Sequence, residues 1–268
     1  MSSVAYHDLV LQFVLAQGAR LARRPVFVGV NGPQGAGKST LAVSLVDVLR
    51  ARGRRALTVS LDDFYLTHAE QRALAAAHPG NPLLEHRGYP GTHDVALGTR
   101  TLAALAALGP GEHVRVPSYD KSAHGGRGDR APEAKFREVE GPLDFVIVEG
   151  WMLGFRPAPP ASLESQDLAA PNAALAAYAG WDERLDAFVR LAPAALADIV
   201  AWRVDSERAR RARGEVTLSD EEARDYVERF LPAYRTYLPG LAAHPPARPV
   251  LVVELRADRS AANVRTEA

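Results

Sequence analysis

The chain has 268 residues, 47% of them hydrophobic and 24% charged, a make-up that supports a substantial globular core. Lys and Arg (32) balance Asp and Glu (32), so no excess of positive charge points to nucleic acid. The absence of cysteine excludes disulfides and thiol catalysis, and no apolar run reaches the roughly 18 residues of a membrane span.

The N-terminus lacks a basic-then-apolar signal pattern, because His7 and Asp8 interrupt it. A cytoplasmic protein is expected, with no nucleic-acid or membrane partner. Residues 2–22 read as a helix with Val10, Val14 and Leu21 on one side. Pro25 to Val30 is a short apolar, β-branched run, as in a buried parallel strand. Gly32 to Ser39 then spell G-x-x-x-x-G-K-S, and Leu41, Leu45, Val48 and Leu49 continue at helical spacing. Strand, glycine-rich turn and helix together make a phosphate-binding loop.

Its glycines let successive N–H groups face an anion. The helix N-terminus adds partial positive charge. Gly32, Pro33, Gln34, Gly35, Ala36, Gly37, Lys38, Ser39 and Thr40 are therefore expected to cradle ATP. Lys38 reaches the outer phosphates and Ser39 offers a hydroxyl to Mg²⁺.

Arg55 to Leu61 reads as a second strand, ending in Asp62-Asp63-Phe64-Tyr65. In an open parallel sheet ligands sit beyond the carboxyl ends of the strands. A carboxylate there can take the proton of an acceptor hydroxyl. Adjacent side chains on an extended segment point oppositely, so one of Asp62 and Asp63 faces the site. Residues 94–108 form an expected helix that Gly109-Pro110 stops. A short strand covers 113–117, and 118–135 reads as an ordered loop. Two cation-rich segments, HRGYPGTHD (86–94) and PSYDKSAHGGRGDR (117–130), suit an anionic acceptor. Arg87, Lys121, Arg127 and Arg130 are candidate clamps; Asp63, Tyr65, His93 and Tyr119 are candidate acceptor contacts. The alternative is that Asp94 and Asp129 simply pair with these cations and that His93-Asp94 cap the next helix.

Phe145 to Val148 is a buried strand whose tip carries Glu149, a carboxylate for the Mg²⁺ shell. A proline-rich connection spans 156–171. A helix over 172–191, a strand over 198–202 and an Arg-rich helix from Arg203 follow. The last would be a lid whose arginines, Arg210 among them, stabilise the migrating phosphoryl group. Ser219-Asp220-Glu221-Glu222 opens another helix as a capping box, with Pro232 a kink, and 250–254 is a last strand. Alternating strands and helices give a three-layer α/β/α P-loop NTPase with a mostly parallel sheet. The whole of 1–268 reads as one kinase domain, with substrate-cap insertions near 66–135 and a lid near 203–218.

The chain carries no N-K-x-D guanine motif and no L-S-G-G-Q motif. SLDDFY, YDKS and VEG resemble the uridine kinase and phosphoribulokinase group. GVNGPQGAGKSTL, SLDDFYLT, RGYPGTHD, PSYDKSAHGGRGDR, VEGWMLGF, WRVDSERARR and SDEEARDYVERFLPAYRTYL resemble plant-type D-glycerate 3-kinase and its microbial and fungal relatives, over residues 26–240. That resemblance implies transfer from ATP to D-glycerate, giving 3-phosphoglycerate. Asp62 then takes the general-base position and Glu149 that of the metal-linked carboxylate. Before the acidic cap, GEVTLSDEE departs from the family's Gly-Met-Ser pattern. The alternatives are a nucleoside kinase, with Tyr89 and Tyr119 stacking a base, and a regulatory ATP-binding protein without a small acceptor. A monomer is expected.

Overall fold

A computed structural model describes residues 3–215 and 217–268. Residue 2 of the first expected helix and residue 216 of the expected lid lie outside the described residues. In chain order the elements are α1 (Ser3–Arg20), β1 (Val26–Asn31), α2 (Lys38–Ala51), β2 (Ala56–Ser60), α3 (His68–Ala77), α4 (Val95–Ala107), β3 (His113–Val116), β4 (Tyr119–Asp120), β5 (Asp129–Arg130), β6 (Arg137–Glu140), β7 (Phe145–Gly150), α5 (Ala169–Ala174), α6 (Ala179–Asp182), β8 (Ala187–Pro193), α7 (Ala197–Ala212), α8 (Asp220–Glu228), α9 (Leu231–Ala243), β9 (Val250–Leu255) and β10 (Ala261–Glu267).

Six strands form the central sheet in the order β10-β9-β8-β1-β7-β2. All neighbours run parallel except β9 and β10. β1 and β7 are buried at every position, as a strand covered on both faces must be. The expected α/β class with a mostly parallel sheet is what the chain adopts. Register decides where the site lies. Asn31 pairs with Gly150, and Glu149 pairs with both Val30 and Ser60, so β1, β2 and β7 end level. The chain leaves β7 on one side of β1 and returns as β8 on the other, so a crevice opens where β1 ends.

Three expected features differ. Residues 172–191 are not one helix: α5, a 3₁₀ turn and α6 end at Asp182, and β8 follows. The alanines favour helix locally. Ala187, Phe188 and Val189, however, are fully buried between β1 and β9, and sheet burial overrides the local preference. Residues 198–202 are not a strand but lie within α7, which buries Ile199, Trp202, Val204 and Glu207 on one face. A short apolar run does not by itself distinguish a strand from a buried helix segment. Arg203 therefore sits inside a helix and does not follow a strand. Pro232 is not a kink either: α8 ends at Glu228, and Pro232 lies in the first turn of α9, where its missing N–H costs nothing.

Candidate active site

The loop between β1 and α2 carries the phosphate-binding geometry. Gly35 (φ 76°) and Gly37 (φ 88°) take the left-handed conformation that glycine adopts without strain, and Gly37 caps α2. A Cβ on Gly35 would lie 2.6 Å from the backbone of Trp202, so glycine also lets α7 press against the loop. The Tyr234 hydroxyl of α9 bonds the Gln34 side chain and accepts the Gln34 N–H at 3.1 Å. Asn31 Nδ2 donates to the carbonyls of Trp151 and Leu153, at 2.9 and 3.0 Å. These partners lie more than a hundred residues away in sequence, beyond the reach of motif reading. Lys38 makes no ion pair among the described residues, so its ammonium is uncommitted.

Ser39 Oγ donates to Glu149 Oε1 at 3.0 Å. Glu149 is buried, and among the described residues its Oε2 has no hydrogen-bond partner. A buried carboxylate oxygen without a partner is costly unless something else binds it. Ser39 and Glu149 supply hard oxygen donors, which suit Mg²⁺ completed by phosphate and water.

Asp62 and Asp63 separate cleanly. The chain turns after Ser60 in a single 3₁₀ turn, whose close packing of Leu61 on the strand tip leaves no room for a Cβ on Gly150 (2.7 Å). Asp63 folds back and its Oδ2 accepts the Ser60 N–H at 3.1 Å, closing a capping box. Burial raises its carboxyl to about 6, against that N–H and Arg137. Asp62 points instead across the crevice, where Lys121 Nζ donates to its Oδ2 at 2.5 Å. Burial opposes its charge, but Lys121, with Lys38 behind it, outweighs it and holds the carboxyl down at about 2.

β4 and β5 pair as a hairpin that carries Lys121 over the end of β2. The other candidate acceptor contacts are brought close but largely spent on the protein. Arg87 donates to the carbonyls of Gly126, Arg127 and Lys121 and lies over the Tyr119 ring. Arg130 bonds Asp94 at 3.1 Å and the Tyr65 carbonyl at 3.3 Å. Asp94 also caps α4 through Leu97 N–H. His93 is buried, stacks on Tyr65 and shares a 2.9 Å hydrogen bond with the Tyr178 hydroxyl; burial lowers it to about 4, so it is neutral. Burial and the Asp62 charge keep the Tyr65 phenol protonated. Arg127, exposed at the hairpin tip, reaches His86 Nδ1 at 3.2 Å. Tyr119 packs edge-on to Tyr65. Tyr89 is buried, stacked on Phe230 and bonded to the Arg229 carbonyl, and so is closed to a nucleobase.

In α7, Glu207 is fully buried and collects Arg203 at 2.6 Å, Arg210 at 3.4 Å and the Leu218 N–H at 3.2 Å. Arg203 also lies over the Tyr226 ring, at 4.8 Å, one residue from the Trp202 backbone that touches Gly35. Arg210 bonds Glu215 at 2.8 Å. Glu207 appears in the sequence only as one acid among arginines, and no local pattern reveals its burial.

No family model matches the chain. It is 44% identical over 227 residues to "D-glycerate 3-kinase, chloroplastic" of Arabidopsis thaliana, covering 83% of this chain and 50% of that protein; the chain thus spans about half the length of the plant relative. It is 39% identical over 243 residues to an uncharacterized kinase of Schizosaccharomyces pombe, covering 86% of this chain and 87% of that one. Among solved structures, a D-glycerate 3-kinase from Cryptococcus neoformans var. grubii superposes with a TM-score of 0.88 at 32% identity, covering 98% of this chain and 99% of the other.

Proposed function

The chain belongs to the D-glycerate 3-kinase family, and from that premise we propose that it transfers the γ-phosphoryl group of ATP to the 3-hydroxyl of D-glycerate. The observation that carries this reading is Asp62: an ionised carboxylate beyond β2, beside the phosphate-binding loop, facing an ammonium. A base for a hydroxyl and a cation for a carboxylate are what a small hydroxy acid requires.

The residues divide the work. The loop N–H groups and Lys38 hold the β- and γ-phosphates. Ser39 and Glu149 would hold Mg²⁺, which would draw charge from the phosphate oxygens. Asp62 takes the acceptor proton as the hydroxyl oxygen attacks in line. Arg203, next to the Trp202 backbone that packs on the loop, and Arg210 would turn positive charge toward the migrating phosphoryl group on exchanging their contacts with Glu207 and Glu215 for it. Residues 66–135 act as the acceptor cap and 203–218 as the lid of one kinase domain, working as a monomer. The commitment of Tyr89 to Phe230 and Arg229 favours a small acid over a nucleoside.

The test is ATP consumption with Mg²⁺ against D-glycerate, L-glycerate, uridine, ribulose 5-phosphate and pantothenate. Stimulation by D-glycerate alone is expected. Stimulation by uridine alone, or ATP binding with silence across the panel, contradicts the assignment.

A further inference from the structure

The Lys121–Asp62 contact joins two bodies that are anchored independently. Asp62 is rooted in the sheet through the Ser60 turn. The hairpin is held by Arg87 on three of its carbonyls, by Arg130 on Asp94 and by Asp129 on the His68 N–H. Lys121 is thus not needed to keep the hairpin in place. Its side chain is 60% exposed and that of Asp62 30%, so a small ligand reaches both ends of the pair. Among the described residues Lys121 pairs with no other carboxylate. The cation best placed for an acceptor's carboxylate is therefore already sitting on the base.

We propose that Lys121 is an exchangeable lock on Asp62, released by the carboxylate of the acceptor. This deepens the glycerate-kinase reading and rests on it. In the free protein the ammonium neutralises Asp62 and occupies its Oδ2. An incoming acceptor carboxylate takes the ammonium, and Oδ2 becomes free to accept a hydrogen bond from the acceptor hydroxyl. That O–H proton then passes to Asp62 as the oxygen bonds to the γ-phosphorus. The bond from the γ-phosphorus to the β,γ-bridging oxygen breaks, ADP leaves with the electron pair, and Asp62 returns the proton to solvent. Water carries no carboxylate, so it leaves the lock closed, and hydrolysis is suppressed while glycerate is absent. Neutral polyols such as glycerol are refused for the same reason.

The test compares wild type with Lys121→Met, Lys121→Arg and the double variant Lys121→Met/Asp62→Asn, reading transfer to D-glycerate and to glycerol and acceptor-free ATP hydrolysis. In Lys121→Met, kcat/KM for D-glycerate falls about 10- to 100-fold, the size of a lost charge-assisted hydrogen bond. Its preference over glycerol collapses, acceptor-free hydrolysis rises, and KM for ATP holds. The double variant loses the extra hydrolysis, and Lys121→Arg regains part of the preference. If Lys121→Met keeps the wild-type preference, or loses both acceptors equally with no rise in hydrolysis, the lock does not exist. A wild type that transfers nothing to D-glycerate would bring down the kinase assignment and this inference with it. An active wild type with an unaltered Lys121→Met variant would bring down the lock alone.

Discussion

The phosphate side and the acceptor side of the crevice are built on opposite plans. On the phosphate side, functional groups are left without protein partners among the described residues: Lys38 has no ion pair, and Glu149 Oε2 is buried without a hydrogen bond. On the acceptor side, nearly every polar group is spent. Arg87 is on carbonyls, Arg130 on Asp94 and His93 on Tyr178. Groups in the first condition can bind only a ligand; those in the second hold the scaffold. Lys121 and Asp62 fall between, since they are paired with each other across an opening that solvent reaches.

That contrast can be broken or sharpened by substitution. The largest loss is expected for Asp62→Asn: kcat falls roughly 10²- to 10⁴-fold, as for removal of a general base, while ATP binding by calorimetry is unchanged. Near-normal transfer by that variant would reassign the base. Lys38→Ala comes next, with a loss of roughly 10²- to 10³-fold for one donor to transition-state charge, read as ATP consumption with D-glycerate. Glu149→Gln should raise the Mg²⁺ concentration for half-maximal rate about 10- to 100-fold; a rate set by ATP alone would remove Glu149 from the metal shell. Arg130→Ala tests the spent side. It should cost stability, about 1–3 kcal/mol in denaturant unfolding for an Asp94 Oδ2 left without its partner, with D-glycerate KM altered only slightly. A rise in that KM at unchanged stability would make Arg130 a substrate contact.

The smallest effect is expected at Asp63. Its folded carboxyl, at about 6, lies above the unfolded value of about 3.9. The folded state therefore holds that proton more tightly. This contribution to stability is complete below about pH 4 and is lost as pH rises through about 6. Asp63→Asn should keep turnover within a few-fold and lose that part of the pH dependence, seen as a shallower fall of melting temperature between pH 4 and 7. A large loss of turnover would mean that Asp63 is more than a turn closure.

The phosphate side was legible in the sequence because its chemistry is contiguous. Gly32 to Thr40 lie on one turn, and Glu149 ends a strand that announces itself by its apolar run. The acceptor side was legible in composition but not in commitment. HRGYPGTHD and PSYDKSAHGGRGDR promised a cluster of cations, yet only the folded chain shows Arg130 facing Asp94 and Lys121 facing Asp62. Choosing between Asp62 and Asp63 likewise needed the turn at Ser60. In the late chain local preference and burial disagree. Alanines around 172–191 suggest helix, but β8 is claimed by the sheet, and Asp198 to Trp202 look like a strand but pack as one face of α7. Tyr234 and Glu207, which fasten the loop and the arginines of α7, act over distances or through burial that no motif encodes.

The measurement that bears most directly on the assignment is the identity of the product. Purified protein, Mg²⁺-ATP and D-glycerate would be followed by proton-coupled phosphorus NMR. A new phosphomonoester signal split into a triplet by a methylene group, growing with ADP, is 3-phosphoglycerate and is the expected result. A doublet from the methine would place the phosphoryl group on the other hydroxyl. Inorganic phosphate alone, or no signal beyond ATP, would contradict the account.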